Sequence, residues 1–151
     1  MDHLLARGLT CVTVLDVSGA ALARAKARLG AGALRVAWIE ADVTAEWPAP
    51  QVDIWHDRAV FHFLVEPADR ARYVGRLTQA VKLHGAAIMA TFALDGPERC
   101  SGLPVQRYSA ETLGAEIGRE FELTETVNEL HLTPSGTEQL FCYSRFARVA
   151  K

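Results

Sequence analysis

The sequence predicts an open α/β sheet, mostly parallel, closed by a C-terminal antiparallel strand pair. Three observations carry this. Short runs rich in β-branched residues alternate with segments of helical periodicity from Val12 to about Ile117. The run AAIMATFAL is apolar without alternation, as in a central parallel strand covered on both faces. The last third changes character, because FELTETVNELHL and TEQLFCYSRFARV read as two longer strands joined by the turn TPSG.

Each element has a local reason. VTVLD reads as a buried strand ending in Asp16, and Ser18 stands where it caps the following helix. Leu22, Ala25 and Leu29 share one face of that helix, and Gly30 stops it. ALRVAWIEADV reads as a second strand ending in Asp42. EWPAP turns the chain, and VDIWHD is a third strand ending in Asp57. RAVFHFLVEP leads to a helix starting near Pro67, a favoured first helical position. Ala71, Val74, Leu77 or Thr78, and Val81 fall at helical spacing, Lys82 and His84 suit the C-terminal dipole, and Gly85 ends the helix. DGPERCSGLP is a polar loop, after which Ser109 caps a helix with Leu113 and Ile117 inward.

Strands separated by helices imply right-handed crossovers, and ligands of such sheets bind beyond the carboxyl ends of the strands. Asp16, Asp42 and Asp57 are therefore expected to aim three carboxylates at one edge. Asp53, at the start of its strand, belongs to the opposite edge and to structure.

Composition narrows the partners. With 151 residues, half of them hydrophobic, residues 1–151 suffice for one domain with a single core. A formal net charge of -2 with scattered basic residues gives no footprint for nucleic acid or an anionic membrane. The apolar runs fall short of the roughly twenty residues of a bilayer span, and MDHLLARG has no signal-like apolar region. A cytoplasmic location is expected. Cys11, Cys100 and Cys142 show no CxxC spacing, and the five histidines show no ligand pattern, so reduced thiols and no metal are expected.

The stretch Asp57, Arg58, Ala59, Val60, Phe61, His62, Phe63, Leu64, the tail ELHLTPSGTEQLFCYSRF and the order of elements form a family pattern. Together they resemble the class I S-adenosylmethionine-dependent methyltransferases, and within them a small-molecule subgroup with a DRAVFHFL-like motif. The resemblance covers nearly the whole chain and implies a Rossmann-like methyltransferase sheet. It also implies S-adenosylmethionine as cofactor and a small-molecule methyl acceptor, with no nucleic acid or membrane partner. Asp16, with Val17 beside it, would hold the ribose hydroxyls; the bland alternative is an acid at a helix N-terminus. Asp42 would receive the adenine amine while the Val43 N–H meets a ring nitrogen; the alternative is an acid capping a turn. Asp57 and Arg58 would lie beside the cofactor pocket. His62 is the candidate general base, against the alternative of a histidine packed within the FHFL cluster. Arg107 and Tyr108 precede the last helix in a region that covers substrate in the family, whereas His131 reads as structural.

The implied reaction is in-line displacement at a sulfonium methyl by an oxygen, nitrogen, sulfur or carbon nucleophile. The protein mainly aligns and desolvates, so a dedicated base is optional. The resemblance also expects a strand and a GxGxG loop ahead of Asp16, whereas Met1 to Gly8 resemble the end of the helix after that loop. The expectation is a domain lacking its N-terminal portion, with a gap between the strands ending in Asp16 and Asp57. Direct pairing would close it, or a strand borrowed from another molecule in a homo-oligomer; otherwise the chain would remain poorly stable. Two rival readings stand beside this one. One is a non-catalytic remnant or interaction module. The other is a nicotinamide-dependent dehydrogenase holding ribose on Asp16, against which the terminal antiparallel pair argues.

Overall fold

The structure, a computed structural model, describes residues 1–150 and divides into two compact units, Met1–Pro48 and Ala49–Lys151.

In the first unit, α1 (Asp2–Ala6) precedes β1 (Val12–Asp16), α2 (Gly19–Leu29) and β2 (Val36–Glu40). β1 and β2 pair in parallel, from Val12 opposite Val36 to Asp16 opposite Glu40. The Ser18 hydroxyl accepts the Ala21 N–H at 3.2 Å, and Gly30 ends α2 with a φ of 54°, a conformation glycine adopts without a Cβ penalty. Leu22 is buried, and Ala25 and Leu29 are half-buried, as the periodicity requires. The second strand is shorter than its sequence suggests. Residues 30–35 form a 3-10 turn onto which Trp38 folds, its Nε1 donating to the Ala33 carbonyl at 3.0 Å. The strand ends at Glu40, and Asp42 lies in the turn beyond it.

The second unit carries β3 (Val52–Arg58), α3 (Pro67–Ala80), β4 (Val81–Phe92), the small hairpin β5 (Arg99–Cys100) and β6 (Leu103–Pro104), α4 (Ala110–Ile117), β7 (Phe121–Leu132) and β8 (Glu138–Arg148). One sheet runs β3-β4-β8-β7, with β3 parallel to β4 and the other two pairs antiparallel. This is the parallel series followed by an antiparallel pair that the sequence predicts. Leu113 and Ile117 of α4 are buried, and Ser109 forms a capping box with Thr112.

Helix α3 differs in phase and length from its expectation. Its buried residues are Tyr73, Leu77 and Ala80, while Ala71 is exposed and Val74 half-buried. The helix ends at Ala80, and Lys82, His84 and Gly85 belong to β4. Strand pairing overrides the helix signal here: Val52 opposes Val81, the register shifts, and Ile54 opposes Ala86. Lys82 meets Asp53 at 2.9 Å, and His84 takes a φ of 65° within the irregularity. Gly85 is thus a close-approach glycine. A Cβ on it would stand 2.8 Å from both the Asp53 and Lys82 carbonyl oxygens. Gly85→Ala should lower unfolding free energy by about 1–3 kcal/mol through forced backbone displacement, read by urea denaturation.

No helix among the described residues is long and apolar enough to cross a membrane.

Candidate functional site

In the first unit, Asp16 ends β1 half-buried, and its Oδ1 accepts the Ser18 N–H at 2.8 Å. Its Oδ2 has no hydrogen-bond partner among the described residues, so the carboxylate keeps an acceptor free at the strand end. Val17 is exposed beside it. Glu40, which sequence reasoning passed over, stands in register with Asp16, so the two side chains share one face of the strand pair. Its carboxylate lies against Gly19, where a Cβ would be 2.6 Å from Oε2. IEAD offers two acids as the strand end, and pairing with β1 selects the first, Glu40.

Asp42 is exposed, and its Oδ1 accepts both the N–H and the hydroxyl of Thr44 at 2.8 Å. That is the turn-capping geometry of a short acidic side chain. Val43 beside it is buried. Asp42 is therefore not a strand-end acid as expected, but a turn acid two residues beyond Glu40.

In the second unit, the DRAVFHFL stretch folds around Asp57. Its Oδ1 accepts the Val60 N–H at 3.0 Å, and its Oδ2 accepts the Phe61 N–H at 3.2 Å and the Tyr73 hydroxyl at 2.5 Å. Trp55 Nε1 in turn donates to the Tyr73 oxygen at 2.9 Å. Ala59 takes a φ of 64°, which lets the chain leave β3 and place Phe61 and His62 in the core. Asp57 is 5% exposed, and burial pushes its carboxyl up from the ordinary range against the opposing pull of Tyr73 and the two backbone donors. Burial, with the Asp57 charge, holds the Tyr73 hydroxyl well above its usual range. The Asp57 carboxylate thus faces inward, whereas a group contacting a ligand at the strand edge would face out.

His62 is fully buried, 4.7 Å between ring centroids from both Phe63 and Phe92. Its Nδ1 accepts the Phe92 N–H at 3.3 Å, and its carbonyl accepts the Gln106 N–H at 2.8 Å. Burial pushes the imidazole down to about 4. A general base must reach the proton it removes; in this arrangement His62 is packed in the core, tying the turn to β4 and to the loop before α4. With the folded value depressed below the ordinary 6.5, its contribution to stability is present above pH 6.5 and lost as pH falls toward about 4. His62→Phe should flatten that decline in melting temperature between pH 6.5 and 4, because the group that must remain neutral is gone.

The loop before α4 is held in the same way. The Tyr108 N–H donates to the Phe92 carbonyl at 2.9 Å, and its ring is buried against Phe61 at 5.6 Å. Desolvation pushes its hydroxyl up to about 12. Arg107 braces the loop through the Gly96 carbonyl and Glu98. His131 lies in β7 with its ring 6.2 Å from Phe141. Arg58, by contrast, is exposed at the carboxyl end of β3, with its Nε on the Tyr143 hydroxyl at 3.0 Å. No group of three or more potential metal ligands occurs among the described residues.

No curated protein matches the chain. Among solved structures, the chain is similar to the N-methyltransferase NodS from Bradyrhizobium japonicum WM9, with 17% identity and a TM-score of 0.76, covering 97% of this chain and 78% of that one. A second is a SAM-dependent methyltransferase from Methanosarcina mazei, at 11% identity and a TM-score of 0.77, with coverage of 99% and 86%. A third is the Burkholderia thailandensis 1,6-didemethyltoxoflavin-N1-methyltransferase, solved with 1,6-didemethyltoxoflavin and S-adenosylhomocysteine. Its identity is 18% and its TM-score 0.71, with coverage of 99% of this chain and 65% of that one. These likenesses establish the Rossmann-like methyltransferase fold. The family described as a methyltransferase domain matches residues 1–85, more than half the chain, and so, with a parallel β1–α2–β2 unit ending in paired acids, the chain belongs to the methyltransferase domain family.

Proposed function

We propose that the protein is an S-adenosylmethionine-dependent methyltransferase acting on a small-molecule acceptor. The observation that carries this is Asp16: a carboxylate at the end of a parallel strand, one oxygen held by the Ser18 N–H and the other free, with family membership around it. A carboxylate so placed accepts two vicinal hydroxyls, the pattern of a ribose. The donor set therefore fits an adenosyl cofactor, with Asp16 and Val17 at the ribose and Asp42 and Val43 at the base. Bound S-adenosylmethionine supplies the electrophilic methyl and its own leaving group. The chain's residues then bind, orient and exclude water, and none of them needs to act as a nucleophile.

In this reading His62 and Asp57 act as positioning residues. Through their hydrogen bonds they fix the turn after β3 and the loop from Ala93 to Tyr108. β1 has β2 as its strand partner, and β3 has β4, so each keeps an open edge in its own sheet among the described residues.

Calorimetric titration with S-adenosylhomocysteine and with NAD tests the assignment. Saturable binding of the first and none of the second is expected. The reverse preference overturns it in favour of a dehydrogenase.

A further inference from the structure

We propose that the guanidinium of Arg58 is a carboxylate anchor at the ends of β3 and β4, and that the natural ligand carries a carboxylate on a flat apolar body.

Arg58 is the last residue of β3, and its register partner is Ala90, whose own partner on the next strand is Tyr143. The three side chains share one sheet face. To reach Tyr143, the Arg58 side chain crosses β4, about 10 Å at two strand spacings. It does so over the small Ala90, which is 1% exposed. There the Nε donates to the Tyr143 hydroxyl at 3.0 Å, and Cζ lies 4.7 Å from the centroid of the Phe141 ring. Phe141 is itself held edge-on against Phe92, with centroids 4.9 Å apart.

One edge and one face of the guanidinium are thus occupied. Nη1 and Nη2 have no partner, and no carboxylate pairs with Arg58, among the described residues. The nearest acid in sequence, Asp57, is buried with its carboxylate committed to Tyr73, Val60 and Phe61, so it does not neutralise the cation. What remains is a pinned planar fork with its two terminal nitrogens open to solvent. That edge matches a carboxylate in bidentate geometry. Because Tyr143 and Phe141 already restrict the side chain, little further rotamer freedom is lost on binding.

The ground beside the fork is apolar. Ala59, Cys100, Val105 and Tyr143 pack around Ala90, Phe92 and Phe141. A carboxylate on an aromatic or compact aliphatic body satisfies both parts. The position also agrees with the general location of ligands in open α/β sheets, beyond the carboxyl ends of the strands.

Under the methyltransferase reading, on which this part rests, the carboxylate belongs to the methyl acceptor. Benzoate and benzamide are the probes, each titrated into the full chain by calorimetry and by NMR. Benzoate is expected to bind at least tenfold tighter than benzamide, and Arg58→Gln to abolish that preference. The proposal is overturned if the wild-type chain shows no preference for benzoate, or if folded Arg58→Gln keeps it. Should Arg58→Gln not fold, Tyr143→Phe keeps the charge and releases the brace. A threefold or greater loss for the anionic probe is then expected, and no change there overturns the proposal. Failure of the wild-type chain to bind S-adenosylhomocysteine contradicts the methyltransferase reading, while the benzoate and benzamide comparison still decides the role of Arg58.

Discussion

Asp57→Ala should destabilise the protein by about 3 kcal/mol or more, the largest single-site effect expected outside the apolar core. The carboxylate satisfies three donors, the N–H groups of Val60 and Phe61 and the Tyr73 hydroxyl, and Tyr73 is fully buried. Each buried donor left without a partner costs about 1–3 kcal/mol, and the cavity adds to that. The turn carrying Phe61 and His62 would also lose its anchor, so urea denaturation should show the loss together with greater amide exchange over residues 59–64. Asp57→Asn, which keeps the volume and one acceptor oxygen, should cost less. Its pH dependence has a definite sign. Burial raises the folded-state value above the ordinary 3.8, so the folded protein holds this proton more tightly than the unfolded chain. That stabilisation is complete below the ordinary value and is lost as pH rises through the folded value. Measured by paired denaturation curves, the cost of Asp57→Asn should therefore be greatest in acid and shrink as pH rises.

Asp16→Ala should leave the fold intact and weaken S-adenosylhomocysteine binding by about 10- to 100-fold. Its side chain's only hydrogen bond among the described residues is with the Ser18 N–H two residues away, and Ser18 caps α2 through its own hydroxyl, so stability depends little on this carboxylate. A hydrogen bond to a charged group is worth about 1.5–3 kcal/mol, equivalent to one to two decades in affinity. The thermal upshift produced by S-adenosylhomocysteine should shrink accordingly, while the melting temperature without ligand stays within about 2 °C of wild type.

Much of the fold was legible because its signals are local. Ser18 and Ser109 cap helices, Pro67 begins one, and TPSG joins the last two strands as its composition says. The errors have a common source in tertiary partners. Lys82 and His84 look like cations at a helix end, yet pairing of Val81 with Val52 draws them into a strand. The buried phase of α3 runs through Tyr73, a residue whose hydroxyl suggests solvent until Asp57, sixteen positions earlier, is seen to accept it. The same pair explains why Asp57 faces inward, and why a histidine two residues beyond Val60 lies in the core. At the candidate cofactor site, Asp16 was legible as a strand-end acid. Glu40 was not, since periodicity alone does not fix a strand's last residue to within two positions. The pinning of Arg58 by Tyr143 and Phe141 spans more than eighty positions in sequence and carries no local signature.

The central claim is tested most directly by isothermal titration of S-adenosylhomocysteine into the wild-type chain and Asp16→Ala, with circular dichroism confirming that both are folded. The account predicts one saturable site in the wild type and a 10- to 100-fold loss in the variant. Equal affinity in the two chains would contradict the ribose role of Asp16, and absence of binding by a folded wild-type chain would contradict the cofactor assignment itself.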